Sequence, residues 1–75
     1  MARPEAEPKT ALGQRLRELR RVAGDPERDL FAARIGVSKS SLAHYERGES
    51  VPDAVTLAAY RNLLDVDLNW LVNGE

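Results

Sequence analysis

Apolar positions recur every three or four residues along this chain and nowhere alternate with the period of a strand. Leu12, Leu16, Leu19 and either Val22 or Ala23 share one face of a helix capped by Thr10, which runs to about Ala23 and stops at Gly24. Asp25-Pro26 reads as an N-cap followed by proline in the first turn of a second helix reaching about Arg34. Phe31 and Ile35, with Leu30 or Ala32, form its buried stripe, and Gly36 ends it. Val37 plugs the turn, and Ser38 caps a third helix that extends to about Arg47 before Gly48. Asp53, after Pro52, caps a fourth from Ala54 to about Leu64, with Leu57, Tyr60 or Ala58, Leu63 and Leu64 as its apolar face. Asp67 caps a short fifth helix with Leu68, Leu71 and either Trp70 or Val72 turned inward, and Gly74 closes it. The pattern predicts an all-α, compact five-helix domain with brief connections and no internal repeat.

Length and composition narrow the class. At 75 residues the chain is one domain near the lower limit for a self-sufficient core. It has no cysteine, so it can have no disulfide framework and no cysteine-based metal site; a reducing cytoplasm fits that absence. No apolar run approaches a membrane span, and MARPEAEPKT does not resemble a signal peptide. Residues 1–9, with Pro4 and Pro8 among alternating charges, read as a flexible N-terminal tail, which leaves 10–75 as the domain.

The net charge of −1 conceals a polarity along the chain. Residues 9–47 hold nine basic residues against five acidic, net +4, while 48–75 hold Arg61 against five acids, net −4. The basic part contains GVSKSSLAHYERGES, the segment of the third helix. A connection as short as that around Gly36 forces a sharp angle between helices two and three, and Ala32 is small enough for them to approach closely. Phe31, Ile35, Val37, Leu42 and Tyr45 supply their shared core. The outward face of helix three then holds Lys39, Ser40, Ala43, His44 and Arg47, with Ser41 at its edge: donors and small side chains, and no acid. Such a face suits a helix that enters a DNA major groove, where base edges are read at short range.

FAARIGVSKSSLAHYERGESVP resembles the helix-turn-helix of the Xre/Cro family, the lambda-repressor-like DNA-binding domains. Phe31, Ala32, Ile35, Gly36, Val37, Leu42 and Tyr45 match that family's pattern in register. LGQRLRELRR, YERG with the following proline, and VDLNWLVNGE are similar to its first helix and its endings, so the resemblance covers about residues 10–75. It implies that Lys39, Ser40 and His44 face base edges. It implies too that Arg28, Ser41 and Arg47, with the cap Ser38, hold phosphates and set the docking register. Arg20 and Glu46 match a pair that ties the first helix to the third by a salt bridge. The chain departs from the family at three places. Arg28 replaces a usual glutamine within GDPERDL, which is one residue longer than the common pattern. Glu49 stands in a loop that is often basic, and Asp65 replaces a usual glycine.

Double-stranded DNA is therefore the expected partner. The expected function is that of a transcriptional regulator, a repressor acting as a homodimer on a palindromic operator. Trp70, Leu71 and Val72 are more apolar residue than one stripe of the fifth helix can bury, and this surplus is expected at the dimer surface. Were the natural protein longer, a C-terminal sensor or oligomerisation domain would follow. The alternative on the same fold is a protein-interaction module, antitoxin-like or adaptor, whose acidic last third takes a basic partner. Catalysis has no support: there is no phosphate loop, and Ser38, Ser40 and Ser41 have only one histidine in the whole chain. A lone histidine without cysteine makes a metal site a poor reading, and no cofactor is expected.

Overall fold

A computed structural model describes residues 9–24 and 26–74. Five helices follow one another among them: α1 (Ala11–Val22), α2 (Arg28–Ile35), α3 (Lys39–Arg47), α4 (Ala54–Leu64) and α5 (Leu68–Asn73). None is long and apolar enough to cross a membrane.

Local side chains start most of these helices. The Gly13 amide donates to Thr10 Oγ1 at 3.0 Å, Ser41 to Ser38 Oγ at 3.0 Å, Thr56 to Asp53 Oδ1 at 2.8 Å and Asn69 to Asp67 Oδ1 at 2.9 Å. Each bond satisfies one of the amides that a helix start leaves without an intrahelical partner. The Thr56 bonds also hold the Asp53 carboxyl below its ordinary pKa. Gly36, at φ 90°, ends α2 with its amide on the Ala32 carbonyl at 2.8 Å. Asp65 ends α4 in the left-handed region at φ 54°, where glycine would be the unstrained choice.

The start of α2 differs from the sequence expectation. Asp25, expected as its cap, lies outside the described residues. Pro26 precedes the helix and is not in its first turn; Glu27 occupies the N-cap position without a side-chain bond, and the first intrahelical bond runs from the Phe31 amide to the Glu27 carbonyl at 3.0 Å. The physical reason is tertiary. The Pro26 carbonyl accepts from Arg20 Nη1 at 3.0 Å and so serves α1, not a first turn of α2. The expected tail, residues 1–9, lies outside the described residues except for Lys9. That residue is tied down, its amide donating to the Arg47 carbonyl at 2.9 Å.

Leu16, Phe31, Ala32, Ile35, Leu42, Tyr60 and Leu71 form the buried core, drawn from all five helices. Phe31 and Tyr60 meet at 5.9 Å between ring centroids with the planes inclined by 56°, a tilted arrangement favoured by aromatic quadrupoles. Ala32, not Leu30, takes the inner position of α2; Tyr60 takes that of α4, while Val22 and Ala23 both stay exposed. Leu71, read both as an inward position of α5 and at a dimer surface, is fully buried, so the second expectation is corrected: packed into the core with Leu16, Phe31 and Tyr60, it has no surface left to offer, while Trp70 is half-buried and Val72 exposed.

Through this core runs a charged link. Glu46 on α3 is buried, and Arg20 on α1 grips its carboxylate with Nε to Oε2 at 2.8 Å and Nη2 to Oε1 at 3.1 Å. Arg28 on α2 brings Nε to 3.5 Å from the same Oε1. Two cations from two helices thus surround one acid on a third. Burial, with Glu46 nearby, pushes the Tyr60 hydroxyl above its ordinary pKa.

Candidate nucleic-acid interface

The α2–turn–α3 segment presents the candidate site. Only Gly36, Val37 and Ser38 separate the two helices, and the left-handed Gly36 turns the chain sharply. Ala32 lets the backbones approach, and Phe31, Ile35 and Leu42 bury the inner faces. That packing sets which side of α3 is left to solvent.

On the outer side Lys39 and Ser40 are exposed, and Ser41, Ala43, His44 and Arg47 are half-exposed. Lys39, Ser40 and His44 come from the first and second turns, so the side chains expected to face base edges stand at the N-terminal end of the helix and one turn beyond. Ser38 and Ser41 act as a unit. Ser38 Oγ accepts the Ser41 amide and donates to Ser41 Oγ at 3.0 Å, which leaves the Ser41 hydroxyl proton to be given outward.

The two arginines matched to phosphate positions are both partly engaged within the protein. Arg28 sits in the first turn of α2 but its Nε faces Glu46, and its side chain is 28% exposed. Arg47 Nε lies 2.9 Å from Glu49 Oε1 and also donates to the Ala43 carbonyl at 3.3 Å. Composition alone conveyed neither engagement. The Arg28 contact follows from the position of Glu46 on the inner face of α3. The Arg47 contact follows from Gly48, whose φ of 79° folds residue 49 back onto the helix end.

The orientation of α3 is fixed at its C-terminal end. Arg20 and Arg28 hold it through Glu46, and at its C-terminus the backbone of α1 approaches so closely that a Cβ on Gly13 would stand 2.9 Å from the Glu46 carbonyl oxygen. A reading helix needs this fixity, because hydrogen bonds to base edges tolerate displacements of only tenths of an ångström.

Residues 13–75 match the family model described as Helix-turn-helix domain. The chain belongs to the helix-turn-helix domain family. In this helix-turn-helix, α2 and α3 are the two helices that give the family its description. The HTH-type transcriptional regulator ImmR of Bacillus subtilis (strain 168) is 34% identical over 65 residues, 87% of this chain and 50% of that protein. A second regulator of that strain, described as the uncharacterized HTH-type transcriptional regulator YqaE, is 38% identical over 45 residues, 60% of this chain and 39% of that protein. The chain thus spans half or less of the length of these two relatives. Among solved structures, the P22 c2 repressor protein, crystallised in complex with a synthetic operator, superposes with a TM-score of 0.79 at 24% identity. The match covers 89% of this chain and 100% of that one, and at this identity the likeness concerns the fold.

Proposed function

We propose that this helix-turn-helix is the DNA-binding module of a transcriptional regulator. It acts as a cytoplasmic repressor, paired as a homodimer on a palindromic operator. The observation that carries the reading is the outer face of α3: Lys39, Ser40 and His44 stand together on a helix whose inner face is locked to α1 and α2. Lysine donates to guanine acceptors, and serine and histidine donate or accept. Ser38, Ser41, Arg28 and Arg47 flank that face and serve phosphates. The names of the two Bacillus relatives and the operator bound to the P22 repressor support the same reading.

Dimerisation follows from energetics. One good bidentate base contact discriminates by about 1–3 kcal/mol, so a single short helix reads little sequence. Two copies about one DNA turn apart double the contacts. With Leu71 in the core, the outer side of α5, Trp70 and Val72, is the surface left for pairing.

A second reading, a protein-interaction module, is favoured by the Arg47–Glu49 pair and the acidic last third. Salt dependence separates the two. If phosphates are bound, log K for a duplex falls by about 0.9 per tenfold rise in salt for each phosphate neutralised. A flat response counts against groove docking and favours a protein partner.

A further inference from the structure

Arg47 is the last residue of α3, and in the DNA reading, on which this inference rests, it holds a phosphate. In the structure its Nε is already faced by a carboxylate, Glu49 Oε1 at 2.9 Å. The backbone keeps that acid in place. Gly48 turns the chain in the left-handed region, and the Glu49 amide donates to the His44 carbonyl at 2.9 Å, so residue 49 is pinned beside the last turn of α3. The two side chains are 43% and 37% exposed, which makes this a pair at the water's edge, weak enough to open.

We infer that Glu49 is an affinity-setting residue: it occupies Arg47 in place of phosphate and holds down binding to duplex DNA. A phosphate that approaches Arg47 must displace this carboxylate. Once displaced, the acid remains within the Debye length of about 8 Å at physiological salt and repels the newcomer. On arbitrary sequence the protein samples many registers, few of which place a phosphate well, and the intramolecular pair wins. On the operator, contacts from Lys39, Ser40 and His44 fix the register, a phosphate is placed well, and the pair opens. The cost of opening the pair is therefore met in full on the operator, while on arbitrary sequence Arg47 keeps its carboxylate and one phosphate contact is not made.

The test compares wild type, Glu49→Gln, Arg47→Ala and the double variant by fluorescence anisotropy. Two duplexes are titrated at several salt concentrations: one recovered by selection from random sequence, and the same duplex with its site scrambled. Glu49→Gln is expected to tighten binding to the selected duplex by about two- to fivefold, the worth of one exposed ion pair, and by less on the scrambled one. The salt slope on the scrambled duplex steepens by about 0.9, one added phosphate, and both changes vanish in the Arg47→Ala background. No tightening on the selected duplex, or a gain that survives Arg47→Ala, overturns the inference. Wild type that discriminates the duplexes while Glu49→Gln changes nothing overturns this inference alone; wild type that binds neither duplex overturns the DNA reading and the inference with it.

Discussion

Arg20 and Glu46, 26 residues apart in the chain, meet through two hydrogen bonds of 2.8 and 3.1 Å and are both buried. The pair joins α1 to α3 and, with Arg28 at 3.5 Å, draws in α2 as well. Desolvating these charges is costly, and the fork-to-carboxylate geometry and the third cation offset that cost. Removing one partner exposes the asymmetry, since the other charge then stays buried.

Arg20→Ala is accordingly expected to destabilise the domain by about 3–5 kcal/mol. At about 4–8 °C per kcal/mol for a domain of this size, the melting temperature falls by well over ten degrees, if the variant folds at all. Arg20→Met combined with Glu46→Leu removes both charges and recovers much of the loss. Thermal melts of the three proteins check this. A single substitution that costs under about 1 kcal/mol would show that the pair does not hold α3.

Gly13 lies inside α1, where alanine is favoured over glycine by about 1 kcal/mol on helix propensity alone. Here the order reverses. A Cβ would stand 2.9 Å from the Glu46 carbonyl oxygen and 3.0 Å from both the Tyr45 oxygen and the Gly48 nitrogen, all backbone atoms that cannot rotate away. Gly13→Ala is expected to lose about 1–3 kcal/mol by chemical denaturation. A gain in stability would contradict so close an approach of α1 to α3.

These two contacts show what could be read before the structure. Thr10, Ser38, Asp53 and Asp67 were legible as caps because a cap is a contact between a side chain and an amide two or three residues on. The five helices and the turn at Gly36 are equally local. Arg20 and Glu46 were reached by resemblance, since nothing in a 26-residue separation brings them together. The start of α2 was misplaced because the Pro26 carbonyl is taken by Arg20, a tertiary event. Leu71 was read both as an inward position of α5 and as part of the dimer surface; its burial agrees with the first reading and overturns the second, because one side chain of so short a helix cannot serve both. The pairing of Arg47 with Glu49 depends on the left-handed Gly48, which places two residues of neighbouring sequence face to face.

The Asp53 cap gives a pH dependence with a definite sign. Its carboxyl is lowered from the ordinary value of 3.8, first by the Thr56 side chain and then by the Thr56 amide. A depressed folded pKa contributes stability above the unfolded value and loses it as pH falls through the folded one. Stability is therefore expected to decline below about pH 4, and Asp53→Asn, which can still cap, to flatten that part of the profile. Denaturant melts between neutral and acid pH check this; parallel profiles for the two proteins would remove Asp53 from the account.

Adjacent positions on α5 are expected to behave oppositely. Leu71→Ala opens a cavity in the core and costs about 2–5 kcal/mol. Val72→Asp, at a position 46% exposed, leaves stability within about 0.5 kcal/mol and shifts a dimer toward monomer in sedimentation. A dimer that survives Val72→Asp and Trp70→Asp, with circular dichroism unchanged, places the pairing surface elsewhere.

The most direct measurement is selection from random double-stranded DNA, run on wild type and on a Lys39→Ala, Ser40→Ala, His44→Ala variant of equal melting temperature. The expected result is a palindromic motif in the wild-type pool that the variant loses while still binding duplex weakly. The same motif from both proteins, or none from the folded wild type, would contradict base reading by α3.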